Sequence, residues 1–410
     1  MSGTLQNPVR GDLANWPDER LTAPRIAIVA RRLWPLTGEA ERSVLHLADS
    51  LLESGARPTL ITPRWQRQWA ERTTLRGIPL VRLPWPATPG WGLLRYLFSL
   101  SRYLRQNRRE FDAVVVQGMR GEAYCALTSL PANGPPVILR ASEAGPYGEV
   151  AWQRQARFGQ RIATKCREAA AIVAASPFIA DELRAVHYAA DQIHVIPPTP
   201  SLGIPPRSEE LRESARHAVA HVNHDLHVVG GAPVVLCISP LQRERGLESL
   251  VRGWLPIQQR WPHARLWIVG DGPEREPLFR LICDLDLRYR ATIPGSFDHW
   301  EDLLQAADMV VAPAPQPGSS AVVKEALAAG LPVVASDQAE HRSLIRQEHS
   351  GLLYSLTDRQ SLAGALVRLL ENPDLGRQLG ATARESLAVN YDLCESRWLQ
   401  RFLAVHAQRG

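Results

Sequence analysis

Arg25-Ile26-Ala27-Ile28-Val29-Ala30 is a β-branched apolar run, and a second, Thr59-Leu60-Ile61-Thr62, follows it after one amphipathic stretch. Between them, Val44, Leu45, Ala48, Leu51 and Leu52 recur at helical spacing from Glu39 to about Ser54, and Gly55 then offers a left-handed cap. Strand, helix, strand in that order predicts a βαβ unit, and thus a parallel sheet wrapped by helices. The same alternation predicts strands at residues 113–116, 137–140, 171–174 and 193–196. It restarts after a proline-rich break at residues 197–206 and the Gly230-Gly231-Ala232-Pro233 turn, with strands expected at residues 234–238, 266–269, 309–312, 332–335 and 352–354. Two such series give an α/β fold of two doubly wound, Rossmann-like domains. Their ligands are expected in a cleft at the carboxyl ends of the strands.

The expected organisation is a disordered leader over residues 1–22, a first domain over 23–200, a linker over 201–232, a second domain over 233–388 and a terminal helix over 389–410. The leader is polar and broken by Pro8 and Pro17, without the apolar core of a signal peptide. With 410 residues and 45% hydrophobic content, the chain can bury two cores. Its longest apolar runs, Ala232 to Ile238 and Met309 to Ala314, fall far short of a membrane span. Cys125, Cys166, Cys237, Cys283 and Cys394 show no metal-binding spacing or disulfide pattern, which favours a reducing cytoplasm. No metal and no resident cofactor are expected. The net charge of +5 suits anionic partners, but no nucleic-acid signature accompanies it.

Residues 317–336 are the most informative for chemistry. Pro317-Gly318-Ser319-Ser320 follows a predicted strand and opens a helix, so free backbone N–H groups and a positive dipole end face whatever lies before it. Gly318, Ser319, Ser320 and Ala321 suit a diphosphate. The run Lys324-Glu325-Ala326-Leu327-Ala328-Ala329-Gly330-Leu331-Pro332-Val333-Val334-Ala335-Ser336, with Asp337, Leu344-Ile345 and Gly351-Leu352-Leu353-Tyr354 after it, resembles the family-four retaining glycosyltransferases of group 1 type. The likeness extends from Val234 to about Ala388.

That resemblance implies a GT-B architecture, two Rossmann-like domains facing across a cleft, with the terminal helix crossing back to the first domain. It implies transfer of a hexose from a nucleoside diphosphate sugar to a carbohydrate or lipid-linked acceptor, with retention and without a metal. Glu325 would bind the donor ribose, for which a carboxylate accepting two hydroxyls is suited. In Ser239-Pro240-Leu241-Gln242-Arg243-Glu244-Arg245-Gly246, Arg245 stands at the position of the lysine that neutralises the pyrophosphate, with Arg243 nearby. Gly270-Asp271-Gly272-Pro273 matches a turn beside the nucleotide, and residues 291–297 match a segment that reads the base.

In the first half, Gly38-Glu39-Ala40-Glu41-Arg42 resembles the opening of the family's first helix and is assigned to the acceptor side. Arg140, Ser142, Glu143 and Tyr147 crowd one strand end and are expected there too. Three positions depart from the family: Pro240 replaces an arginine, Pro317 a glutamate, and no histidine occurs in Leu139-Arg140-Ala141-Ser142-Glu143. They leave open an alternative, a catalytically silent glycosyltransferase-like subunit. A nicotinamide-dependent dehydrogenase is disfavoured, because neither half shows GxGxxG after its first strand. Between Trp91 and Arg109, a helix aligns Leu93, Leu97, Leu100 and Leu104 on one side and Trp91, Arg95, Phe98, Arg102, Arg105 and Arg109 on the other. With the exposed-looking Leu83-Pro84-Trp85-Pro86, this outer stripe suits peripheral contact with an anionic bilayer, the alternative being a solvated basic face.

Overall fold

The computed structural model of the protein describes residues 23–36, 38–85, 91–197, 205, 208–297, 300–315, 321–358, 360–388 and 395–409, with side chains left aside at a few of them. The first series runs β1 (Arg25–Val29), α1 (Glu39–Glu53), β2 (Arg57–Arg64), β3 (Arg72–Leu75), β4 (Ile78–Pro84), α2 (Trp91–Gln106), β5 (Ala113–Gln117), α3 (Gly121–Ser129), β6 (Val137–Ala141), α4 (Glu149–Gln155), α5 (Gly159–Cys166), β7 (Ala171–Ala174), α6 (Pro177–Ala185) and β8 (Ile193–Val195). Its strands form one sheet in the order β3-β4-β2-β1-β5-β6-β7-β8, parallel except for the antiparallel β3. Consecutive residues of β1 face opposite sides. Ala27 and Val29 pack with the Tyr96 and Leu100 side of α2, whereas Ile26 and Ile28 pack with Val44, Ala48 and Leu51 of α1. Covering on both faces is what a near-continuous apolar strand requires.

The second series runs α7 (Glu209–Val222), β9 (Val234–Ile238), α8 (Leu247–Gly253), α9 (Leu255–Arg260), β10 (Arg265–Val269), α10 (Arg275–Asp284), β11 (Ala291–Gly295), α11 (Glu301–Ala306), β12 (Met309–Ala312), α12 (Ala321–Ala328), β13 (Val333–Ser336), α13 (Ala339–Leu344), β14 (Leu352–Tyr354), α14 (Ser361–Glu371), α15 (Pro373–Ala388) and α16 (Glu395–Arg409). Its sheet is wholly parallel, in the order β11-β10-β9-β12-β13-β14. Two α/β layers with parallel sheets are therefore present, as the alternation of strand and helix predicts. Helix α7 falls within the stretch assigned to the linker. Its Ala215 and Val219 belong to the core of the second sheet, and Arg212 and Arg216 both pair with Asp308 at 2.7 Å. Helix α16 packs on the first sheet, with Trp398, Leu399 and Leu403 joining the Ile26, Ile28 and Leu51 cluster.

Three sequence expectations need correction. The hairpin of β3 and β4 was not anticipated, since Pro79, Pro84 and the inward Arg82 interrupt its apolar alternation. Its two-residue turn is Arg76-Gly77, both with positive φ (52° and 81°), the geometry that matches strand twist in a tight hairpin. That hairpin also buries Leu83 in the core and half-buries Trp85 against Trp65 and Tyr96, so this stretch is not exposed; Pro86 lies outside the described residues. On α1, Leu52 is exposed and Leu47 is buried instead, because the buried stripe centres on Val44, Ala48 and Leu51.

Candidate active site

Strand order reverses between β1 and β5 in the first sheet and between β9 and β12 in the second. A crevice opens at such a point, beyond the carboxyl ends. In the second sheet, the ends of β9, β10 and β11 and the turns that leave them are joined through their backbones. Ser239 N–H donates to Val269 C=O and Leu241 N–H to Asp271 C=O, both at 3.0 Å, and Gly270 N–H donates to Gly295 C=O at 2.9 Å. A Cβ on Gly270 would meet Ser239 O at 1.9 Å, and one on Gly246 would meet Pro313 O at 2.3 Å. Both glycines have positive φ, so close approach and conformation alike exclude a side chain.

Arg243 and Arg245 occupy a short 3-10 turn after β9; Arg243 is exposed and Arg245 half-buried. Among the described residues, neither guanidinium has an ion-pair or hydrogen-bond partner. Gly246 then sets this turn against Pro313, which follows β12. Arg245, Gly270, Gly272 and the approach to α12 thus share one edge of the sheet. Gly272 N–H donates to Asp271 Oδ1 at 2.9 Å. Pro240, where the family carries an arginine, takes part in the turn itself, its carbonyl accepting from Gln242 N–H at 2.9 Å. Gly318, Ser319, Ser320 and Pro317 lie outside the described residues. Ala321 is the first residue of α12. Glu325, one turn further, is only 4% exposed, which rules out a solvated helix carboxylate.

The turn between β12 and α12 has supports that sequence reading missed. Tyr354 Oη donates to Pro313 C=O at 3.2 Å, and Ser336 Oγ donates to Ala314 C=O. His341 Nδ1 lies 2.9 Å from Ser336 O and 3.1 Å from Ser336 Oγ. Since Ser336 gives its proton to Ala314, Nδ1 carries the hydrogen, and burial pulls the imidazole pKa down, keeping it neutral. The signal was present in Val-Val-Ala-Ser followed by a helix: a hydroxyl at a strand end, one turn from a histidine.

On the first sheet, Gly38 caps α1 in an extended conformation, and a Cβ there would meet Glu41 Oε2 at 2.4 Å. Glu39 begins α1; its side chain and that of Tyr147 lie outside the described residues. Arg140 does not open into a cleft. Its Nε and Nη2 donate to Glu395 of α16 at 2.7 and 2.9 Å, Nη1 donates to Gln117 at 2.5 Å, and Nη2 also donates to Ser43 at 2.9 Å. The guanidinium is committed to holding α16, which sequence alone cannot reveal for residues 255 positions apart. Ser142 Oγ accepts from Gln117 Nε2 at 2.8 Å. The amides of Ser142 and Glu143 each donate to Glu149 at 3.3 Å. Glu149 is another residue that sequence reading missed: burial, and then the Glu143 carboxylate, push its pKa up to about 7. Arg42 links the two series, pairing with Glu301 at 3.3 Å and lying 4.2 Å from the Trp300 ring centre. Among the described residues, no cluster of His, Cys, Asp or Glu could hold a metal ion, and Cys125, Cys166, Cys237 and Cys283 are free thiols; Cys394 lies outside them.

Two α/β domains, each with a switch point at the carboxyl ends of its parallel strands, form a GT-B fold. Comparison with known proteins gives the family. The family described as "Glycosyl transferases group 1" matches residues 232–372, and that described as "Glycosyl transferase 4-like domain" matches residues 38–199. The chain therefore belongs to the group 1 glycosyltransferases. It is 28% identical over 362 residues to the lipopolysaccharide core biosynthesis glycosyltransferase LpsD of Rhizobium meliloti (strain 1021), covering 86% of this chain and 91% of the relative. In fold it is similar to sucrose-phosphate synthase from Thermosynechococcus elongatus, with a TM-score of 0.73 at 19% identity over 94% of this chain and 98% of the other. It is also similar to Anabaena HepE, solved in complex with UDP and glucose, with a TM-score of 0.72 at 17% identity over 94% of this chain and 100% of the other.

Proposed function

We propose that this glycosyltransferase moves a hexose from a nucleoside diphosphate sugar to a carbohydrate or lipid-linked acceptor, with retention at the anomeric carbon. The observation that carries the reading is the buried Glu325, one turn into a helix that starts on the edge bearing Arg245. A carboxylate withdrawn from water is matched to the two hydroxyls of a ribose, and a cation beside it to a diphosphate. Departure of the diphosphate is the costly event, so its charge is where the protein does most. Arg245, Arg243 and the amides at the start of α12 meet that charge without a divalent ion, and turnover is expected to survive chelation by EDTA. Acceptor contacts fall to the first half, where Gly38 caps α1 and Ser142 and Glu143 follow the end of β6. A cytoplasmic location with peripheral contact to anionic lipid through the outer stripe of α2 completes the reading. Release of free nucleoside diphosphate, assayed across a panel of donor sugars with and without EDTA, tests it. Binding of nucleoside diphosphate without turnover of any donor would favour a silent subunit instead.

A further inference from the structure

Four of the chain's 12 tryptophans, Trp34, Trp65, Trp69 and Trp85, gather just beyond the carboxyl ends of β1, β2 and β4. Parallel pairing puts these ends on one edge, with Arg64 opposite Pro84. The rings are fixed. Trp65 packs against Trp85 at 4.1 Å between ring centres, tilted by 38°, and donates Nε1–H to Arg31 C=O at 3.0 Å. Arg82 lies between Trp34 and Trp69, with its guanidinium carbon 5.4 Å from each ring centre, and donates to the carbonyls of Ala70 and Trp34 at 3.1 and 3.2 Å. Core filling does not explain Trp34, which is 41% exposed although it is held in place. Beneath it, Thr62 and Arg82 are register partners on adjacent strands, 1% and 4% exposed. Thr62 Oγ1 and Arg82 Nε have no hydrogen-bond partner among the described residues. Buried orphans of this kind are costly, and two side by side ask for a group that both donates and accepts.

We infer that Trp34, Trp69, Thr62 and Arg82 form a saccharide subsite, at which a pyranose of the acceptor lays its C–H face on the exposed indole of Trp34 and, as the Arg82 side chain yields, offers hydroxyls to the two orphan atoms that the free protein keeps covered. Sugar hydroxyls donate and accept, and an indole gives a rigid apolar surface with little entropy to lose. The inference rests on the transferase reading and names the chemistry of its acceptor side.

The test uses the full chain without donor, probed with the methyl glycosides of glucose, galactose, mannose and N-acetylglucosamine by saturation-transfer NMR and tryptophan fluorescence. At least one glycoside is expected to bind. Trp34→Ala is expected to weaken it about tenfold, and Trp34→Phe, which keeps an aromatic face, by less. Thr62→Val, nearly isosteric, should also weaken binding and keeps the test decisive should Trp34→Ala fail to fold. Tyr289→Ala, exposed on the other half, should change nothing. The subsite is overturned if no glycoside binds the wild type, or if Trp34→Ala and Thr62→Val bind like it. Calorimetry with a nucleoside diphosphate on the same proteins separates the two readings. Glycoside binding without any donor turnover would sink the transferase reading and leave the subsite standing.

Discussion

Arg245 and Glu325 are the residues on which the proposed donor chemistry turns, and each makes a distinct prediction. Replacing Arg245 by alanine removes a charge-assisted contact worth about 1.5 to 3 kcal/mol, so donor affinity should fall roughly ten- to hundredfold. Arg245→Lys keeps the charge and loses the fork, and should recover part of the loss. Equal affinity in all three proteins by calorimetry would remove Arg245 from the site. Glu325→Gln should weaken a nucleoside diphosphate about as much as the full donor, by about tenfold, since its proposed contact is to ribose; an effect confined to discrimination among sugars would contradict that role. Both residues stand out in the sequence through the family resemblance, Glu325 on a helix that follows a strand and a turn of small residues, and Arg245 on the loop after the first strand of the second half. Arg140 was not legible in this way. Its position at a strand end looked like a site, but its partner Glu395 is far along the chain, and only the folded molecule brings them to 2.7 Å.

Whole elements were read most securely where both faces of a strand are apolar. Residues 171–174, 234–238 and 309–312 were placed to the residue, because parallel strands under helices have no polar side to blur them. The β3–β4 hairpin failed for the opposite reason, as an edge hairpin carries arginines and prolines where alternation would show. Helix α2 shows both outcomes. Leu100 and Leu104 are buried as expected, Leu93 and Leu97 are partly so, and Tyr96 joins them in the core. The outer side exposes Arg95, Arg102, Arg105, Trp91 and Phe98, the last at 69%, and Leu94 as well. A basic and aromatic face of this kind should co-sediment with anionic vesicles at low salt and dissociate as salt rises, because attraction to the surface is screened over about 8 to 10 Å. The helix ends at Gln106, so Arg109 lies just past it, exposed, rather than on the stripe; replacing Arg95, Arg102 and Arg109 by glutamine should abolish co-sedimentation and leave donor binding intact, since the buried side of α2 is untouched. Wild-type protein that ignores such vesicles at low salt would make the stripe a solvated face.

At the scale of the whole molecule, the two sheets are joined by the return of α16 as well as by the chain between β8 and α7. The apolar part of that return is Trp398, Leu399 and Leu403 against the first core, and the polar part is Arg140 with Glu395, Ser396 Oγ with Ser50 Oγ at 2.7 Å and Gln400 Nε2 with Ser54 Oγ at 2.8 Å. Both members of the ion pair are buried, so what it contributes depends on how it is broken. Removing one partner strands the other charge away from water, at a cost of about 3 to 5 kcal/mol. Glu395→Ala should therefore lower the urea midpoint sharply, with Arg140 left facing Gln117 and Ser43 alone. Removing both charges has a different outcome, because no desolvated ion remains. The double variant Arg140→Met, Glu395→Leu should recover most of the midpoint lost by the single one, since well-packed apolar residues replace buried pairs at little cost. Donor affinity should be unchanged in both, as the Arg245 edge belongs to the other sheet. If the double variant is as unstable as the single, the bonds to Ser43 and Gln117 matter more than the charge. Arg140 would then be a hydrogen-bonding hub for α1, β5 and α16 together.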